Sequence, residues 1–147
     1  MRKFYTLIII ASFALSASAW QLAPGARAIS EPTTAPVVKK APEMQTEIFY
    51  EIRQTVVADA EKGKVTNLIN FLKANPETKV TVTGYADAGT GNPKVNMKYS
   101  KQRAENIAKA LKDAGVDAGR ITVDAKGDTV QPFSENDKNR VTIAIAK

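Results

Sequence analysis

The stretch GYADAGTGNPKVNMKYSKQR, residues 84–103, decides how the chain is read. It starts at the end of "KVTVTGY" (79–85), where Val80, Val82 and Gly84 alternate with polar residues, the two-residue period of a half-buried strand. It runs into an apolar stripe at helical spacing, Ala104, Ile107, Ala108 and Leu111. Between the two, Gly89, Gly91, Asn92 and Pro93 supply turn chemistry. Strand, loop and helix therefore follow in order. Ser100 is the expected N-cap, the helix runs to about Ala114, and Gly115 ends it as a C′ glycine. One carboxylate, Asp87, stands at the strand end. One guanidinium, Arg103, follows sixteen positions later in what the spacing makes the first helical turn.

Upstream, "EIFYEIR" (47–53) sets Ile48, Tyr50 and Ile52 against Glu47, Glu51 and Arg53, with Phe49 on the other face, which predicts a strand. Asp59 is the expected N-cap of a helix carrying Val65, Leu68, Ile69 and Leu72, stopped at Asn75-Pro76 because proline disfavours helical geometry in the preceding residue. Downstream, "RITVDAK" (120–126) and "RVTIAIA" (140–146) add two strands, with Ile121 and Val123, then Val141, Ile143 and Ile145, expected on buried faces. The order strand, helix, strand, helix, strand, strand predicts an α+β sandwich, a mixed sheet with both helices packed on one face. A helix joins the first two strands, so a right-handed parallel crossover is expected between them.

At 147 residues there is room for one domain and a leader. Arg2 and Lys3, the apolar run Phe4–Leu15 and the small residues Ala17-Ser18-Ala19 have the layout of a secretory signal peptide, cleaved after Ala19, with Ala26-Arg27-Ala28 as a weaker second site. The alternative is an uncleaved inner-membrane tether, for which the apolar run is short. No Cys follows it, so no lipid anchor is expected. Residues 20–43 hold four of the seven prolines without helical or strand period and read as an extended linker; the domain is expected over 44–147. The absence of Cys removes disulfides and thiolate metal ligands. The formal charge of +6 falls to +4 once Arg2 and Lys3 leave, and the charges are interspersed, without the basic, aromatic-flanked stripe of a nucleic-acid binder.

No His, thiol, metal-binding pair, phosphate-cradling glycine loop or nucleophile elbow is present, so no enzyme activity, no cofactor and no metal are expected. "DAGTGN" lacks the alternating acids of a calcium loop. Two readings of the Asp87 and Arg103 pair stay open on the residues alone. Asp87 ends a strand and Arg103 is a solvated helix residue, or the two read a zwitterion. A first-turn cation works against the helix dipole, whereas a guanidinium beside helix amides suits a carboxylate and Asp87 suits an ammonium. Both sit at element ends, so their replacement is expected to leave folding intact.

The segment Ile48–Lys147 resembles the C-terminal, peptidoglycan-binding domain of the outer membrane protein A family, which includes peptidoglycan-associated lipoproteins and flagellar stator anchors. The residues that carry the resemblance are Gly84-Tyr85-Ala86-Asp87, then Asn96, then Tyr99-Ser100-Lys101-Gln102-Arg103-Ala104, with "AGVDAGRITVDAKGD", Pro132, "END" (135–137) and "NRV" (139–141) downstream. The resemblance implies that Asp87 takes the ammonium and Arg103 the carboxylate of meso-diaminopimelate in the peptide stem. Asn96 and the backbone around Ala86 and Glu51 would complete the pocket, with Arg140 at its rim. Three positions depart from the family pattern. The Asp-to-Asn spacing is nine rather than eight, Ala86 replaces a Thr, and Asn139-Arg140 stands where many members have Asn-Arg-Arg.

These readings predict a periplasmic, non-enzymatic domain that binds peptidoglycan of the meso-diaminopimelate type, exported by its signal and associated with the outer membrane. A partner protein of that membrane would be met by the N-terminal tail. The alternative is an envelope protein–protein interaction module that keeps the fold while the tail docks on a membrane partner.

Overall fold

The computed structural model describes residues 40–147; the expected signal segment and most of the Pro-rich stretch lie outside the described residues. The elements are β1 (Met44–Phe49), α1 (Asp59–Ala74), β2 (Val80–Tyr85), α2 (Pro93–Asp113), β3 (Ile121–Gly127) and β4 (Val141–Ala146), with single 3₁₀ turns at Ala118–Arg120 and Asn136–Asn139. They form an α+β domain with one four-stranded mixed sheet in the order β1-β4-β2-β3.

Both helices pack on one face of this sheet. Leu68 and Leu72 of α1 and Ile107 and Leu111 of α2 share a core with Ile48, Val80, Val82, Ala144 and Ala146. The crossover through α1 does not join neighbours: β1 and β2 are both antiparallel to β4, which lies between them. They still run the same way, and the gap they leave is filled by a strand that gains a ladder on each side. The parallel neighbours are β2 and β3, linked by α2.

Several sequence expectations change in the structure. The first strand starts at Met44 and stops at Phe49, so Tyr50 stays buried but Ile52 is exposed in the following turn. Asp59 is the first helical residue of α1 rather than its cap; Ala58 takes the cap position without a side-chain bond. In β4 the buried face carries Thr142, Ala144 and Ala146, while Ile143 and Ile145 face the open side, although Val141 is buried. The register gives the reason, because Ile48 sits opposite Thr142 and Val82 opposite Ala144. Small residues on this inner strand leave room beneath the helices that larger ones on β1 and β2 then fill. Val123, on the edge strand β3, is likewise exposed.

The largest change concerns α2. It begins at Pro93, capped by Asn92, whose Oδ1 accepts from the Val95 amide at 3.0 Å. Ser100 therefore lies well inside the helix, fully buried, and Arg103 lies beyond it. Gly84 makes this possible: a Cβ there would fall 1.9 Å from the Ser100 carbonyl oxygen, so only glycine lets α2 press onto β2 at this height. Just beyond, the β2–β3 register slips, Gly84 pairing with Ala125 but Tyr85 with Gly127, and the Gly127 amide donates to Ser100 Oγ. The far end of α2 closes as expected. Gly115 adopts φ +92°, its amide bonds Lys112 O and the Val116 amide bonds Leu111 O, the paired bonds of a Schellman motif.

Candidate functional site

Where β2 ends, the loop after it, α2 and the turn after β1 meet around a cavity of about 300 Å³. Ala86, Asp87, Asn96, Arg103 and Arg140 all line it, joined by Thr90, Gly91, Tyr99, Ile52 and Arg53. Positions 96, 99 and 103 of α2 fall on one helical face, which is why a single helix supplies an amide, a phenol and a guanidinium to the same wall.

Arg103 is 1% exposed, the largest fully buried side chain of the described domain. It is not a solvated first-turn residue. Its Nε donates to Gln54 O at 2.9 Å, one terminal nitrogen to Tyr85 O at 3.2 Å and the other to Glu51 O at 3.3 Å. Its central carbon stands 4.9 Å from the Tyr50 ring centroid and 5.8 Å from that of Tyr99. Three carbonyl dipoles and two aromatic faces thus hold a cation that has no carboxylate within 4.0 Å among the described residues. Burial lowers its pKa from the ordinary value, against the opposing pull of Tyr50 and Asp87, and Arg140 pushes the same way as burial. Burial also pushes the Tyr50 phenol up to about 12, although Thr142 Oγ1 donates to it at 3.3 Å.

Asp87 is 2% exposed at the opposite charge of the same cavity. Thr90 Oγ1 lies 2.9 Å from each of its oxygens, Asn136 Nδ2 donates to Oδ2 at 3.1 Å, and an Arg140 terminal nitrogen stands 3.7 Å from Oδ2. Arg140 also donates through Nε to Tyr50 O at 3.2 Å. Asn96 is buried, and its Nδ2 donates to Asp87 O at 3.3 Å and to Asp128 Oδ2 at 2.8 Å. Ala86 lines the cavity, but both of its backbone groups are engaged, N–H with Gly127 O at 2.7 Å and C=O with Gln131 Nε2 at 3.0 Å. Glu51 is not brought to the cavity wall; it borders a neighbouring hollow, and its carbonyl serves as an anchor for Arg103.

Sequence reasoning missed Thr90, Asn136, Asp128 and Tyr99. Asn136 meets Asp87 across 49 positions and Asp128 meets Asn96 across 32, separations at which spacing carries no signal. Tyr99 was legible, since it lies one helical turn before Arg103. No group of three or more acids capable of holding a metal occurs among the described residues, and no described helix is long and apolar enough to cross a membrane.

The sequence model of the OmpA family matches residues 49–144. The chain belongs to the OmpA family. Among OmpA-family relatives, Outer membrane protein 40 of Porphyromonas gingivalis is 34% identical over 116 residues, 79% of this chain and 30% of that protein. Probable lipoprotein YiaD of Escherichia coli is 34% identical over 93 residues, 63% of this chain and 42% of its own length. The chain spans less than half the length of the curated relatives it matches. Among solved structures, the OmpA-like domain of FopA1 from Francisella tularensis superposes with TM-score 0.62 at 25% identity, over 70% of this chain and 71% of that one. The peptidoglycan-associated lipoprotein from Burkholderia pseudomallei superposes with TM-score 0.65 at 18% identity, over 69% and 90%. The second likeness establishes the OmpA-like fold.

Proposed function

We propose that this domain binds peptidoglycan non-covalently in the cell envelope, through the zwitterionic end of meso-diaminopimelate in the peptide stem, and that it is a binding module rather than an enzyme. The observation that carries the reading is the buried Arg103 guanidinium at a cavity wall. Three of its five N–H groups are spent on carbonyls, and no protein carboxylate pairs with it among the described residues. Such a site gains most from an incoming anion. Asp87 supplies the opposite charge in the same cavity, so a ligand carrying an ammonium and a carboxylate on one carbon satisfies both. Asn96 adds an amide to the wall, Arg140 forms the rim beside Asp87, and Ala86 and Glu51 act through the backbone that frames Asp87 and Arg103. The family supports this reading, as does the fold shared with a peptidoglycan-associated lipoprotein and with a cell wall anchor from Pseudomonas aeruginosa. The signal segment at 1–19 and the linker at 20–43 would deliver the domain to the periplasm, where the tail is left to meet an outer-membrane partner.

Co-sedimentation with purified sacculi tests the proposal. Retention on diaminopimelate-type sacculi should be competed by free meso-diaminopimelate, and lysine-type sacculi, whose side-chain amine has no adjacent carboxylate, should retain far less. Equal retention on both would reduce the binding to nonspecific charge attraction. Absence of retention on either would leave the interaction-module reading in its place.

A further inference from the structure

Asn96 has a side-chain amide with one oxygen and one nitrogen to place, and its surroundings decide the choice. Two acceptors, Asp87 O and the Asp128 carboxylate, converge on the Nδ2 position at 3.3 and 2.8 Å. Rotating the amide by half a turn would set Oδ1 against both, oxygen facing oxygen. With the nitrogen so committed, Oδ1 receives no hydrogen bond among the described residues and, unlike Thr46 Oγ1, is not closed off from the cavity. The oxygen lies by Gly91, another cavity residue: a Cβ added there would stand 2.7 Å from Asn96 Oδ1, and the glycine holds φ +79°.

We propose that Asp128 is a positioning residue for ligand recognition: it locks the Asn96 amide so that Oδ1 faces the cavity as an acceptor for the ligand's ammonium. This rests on the preceding reading of the site. An ammonium carries three donors, and the Asp87 carboxylate is already engaged by Thr90, Asn136 and Arg140. A second, uncharged acceptor on the adjoining helix completes its coordination, and the unsubstituted Gly91 keeps the approach open. Asp128 never touches the ligand; it acts through Asn96.

The test uses the full chain and two probes, meso-diaminopimelate and pimelate, which keeps both carboxylates and lacks both amino groups. Titration followed by NMR should show wild type preferring meso-diaminopimelate by about a hundredfold or more, because pimelate leaves both Asp87 and Asn96 Oδ1 without a donor. Asp128→Ala should cut that preference by about tenfold, the scale of one well-placed hydrogen bond to a charge, while leaving pimelate affinity nearly unchanged, and Asp128→Glu should restore part of it. In ligand-free protein the Asn96 side-chain NH₂ should be protected from hydrogen exchange, and Asp128→Ala should reduce that protection, leaving only the longer bond to Asp87 O. Gly91→Ala tests the same oxygen from the other side: the NH₂ protection should persist while the ammonium preference falls. An Asp128→Ala variant that keeps the full wild-type preference, or the full NH₂ protection, overturns the proposal. If wild type binds neither probe, the peptidoglycan reading itself fails and this inference falls with it.

Discussion

Replacing Arg103 by Ala removes a ligand contact and a structural clasp at once, and the two losses can be separated. The guanidinium ties Gln54 O and Glu51 O, in the turn after β1, to Tyr85 O at the end of β2. Removing it leaves three carbonyls without their donor. Each costs about 1 kcal/mol, the low end of the range for an unsatisfied buried group, because the adjoining cavity admits water. Relief of the burial penalty that depresses the Arg103 pKa offsets part of this, and the void between Tyr50 and Tyr99 adds to it. A stability loss of about 3 kcal/mol is expected, measured by urea unfolding. This departs from the sequence-based expectation of intact folding, which placed Arg103 at an element end. Arg103→Lys keeps the charge but lacks the planar fork, so it should lose less stability and still bind poorly, since one ammonium cannot hold three carbonyls and a carboxylate together. Binding to sacculi, measured where both variants remain folded, should fall by about a hundredfold or more, the equivalent of about 3 kcal/mol. A fully stable Arg103→Ala would refute the clasp. A folded Arg103→Lys that sediments like wild type would refute the anion site.

Other expectations follow from the same geometry. Tyr50 has its pKa raised from 10.0 to about 12 by burial, so its protonated form contributes stability that is fully present below pH 10 and lost as pH rises through about 12. Tyr50→Phe should therefore lose less stability than wild type between those pH values, by about 2 kcal/mol, in parallel urea titrations; identical slopes would refute the assignment. Gly84→Ala should cost about 3 kcal/mol or prevent folding, because the added carbon meets the Ser100 carbonyl rather than a yielding side chain. A thermal midpoint equal to that of wild type would contradict the close helix–strand contact. Lys98 and Lys101 are exposed, and Lys101 stands only 3.8 Å from Glu105 in a surface pair. Neutralising both should weaken sacculus binding by under ~1 kcal/mol. Wild-type binding that collapses at about 0.5 M salt, where the Debye length has shrunk well below 10 Å, would remove the pocket in favour of bulk charge.

Much of the fold was legible because period and punctuation agree in this chain. The stripes of α1 and α2, the Asn75-Pro76 stop and the Gly115 closure all act over a few residues, and local chemistry is enough to read them. The start of α2 is hard to read because Ser100 offers a cap by residue type. Asn92-Pro93, which makes the cap bond and fills the first helical position, has equally the composition of a turn. In β4, hydrophobicity ranks Ile143 and Ile145 above Ala144 and Ala146. The buried face is instead chosen by volume, a property of the neighbouring strands and helices that one strand does not encode. The site divides in the same way. Asp87, Asn96 and Arg103 belong to one continuous stretch, whereas Asn136 and Asp128, which hold the first two in place, arrive from later in the chain. The burial of Arg103 was hidden for that reason, since the turn at 51–54 that closes over it comes from the other end of the domain.

The place of β4 in the sheet has a consequence for the order of assembly. Its residues are last in the chain among the described strands, yet they pair with β1 across a separation as large as Met44 to Ala146. Without them no strand joins β1 to β2, and the α1–β1 pair has no link through the sheet to the layer that α2 forms on β2 and β3. Contacts this distant in sequence are slow to close, and they reward the chain only when nearly all of it is available. A chain threaded N-terminus first through a membrane would thus stay unlocked while 141–146 remained on the near side. It would close as a unit once they emerged, so a truncation before Val141 should leave two unjoined halves rather than a smaller domain.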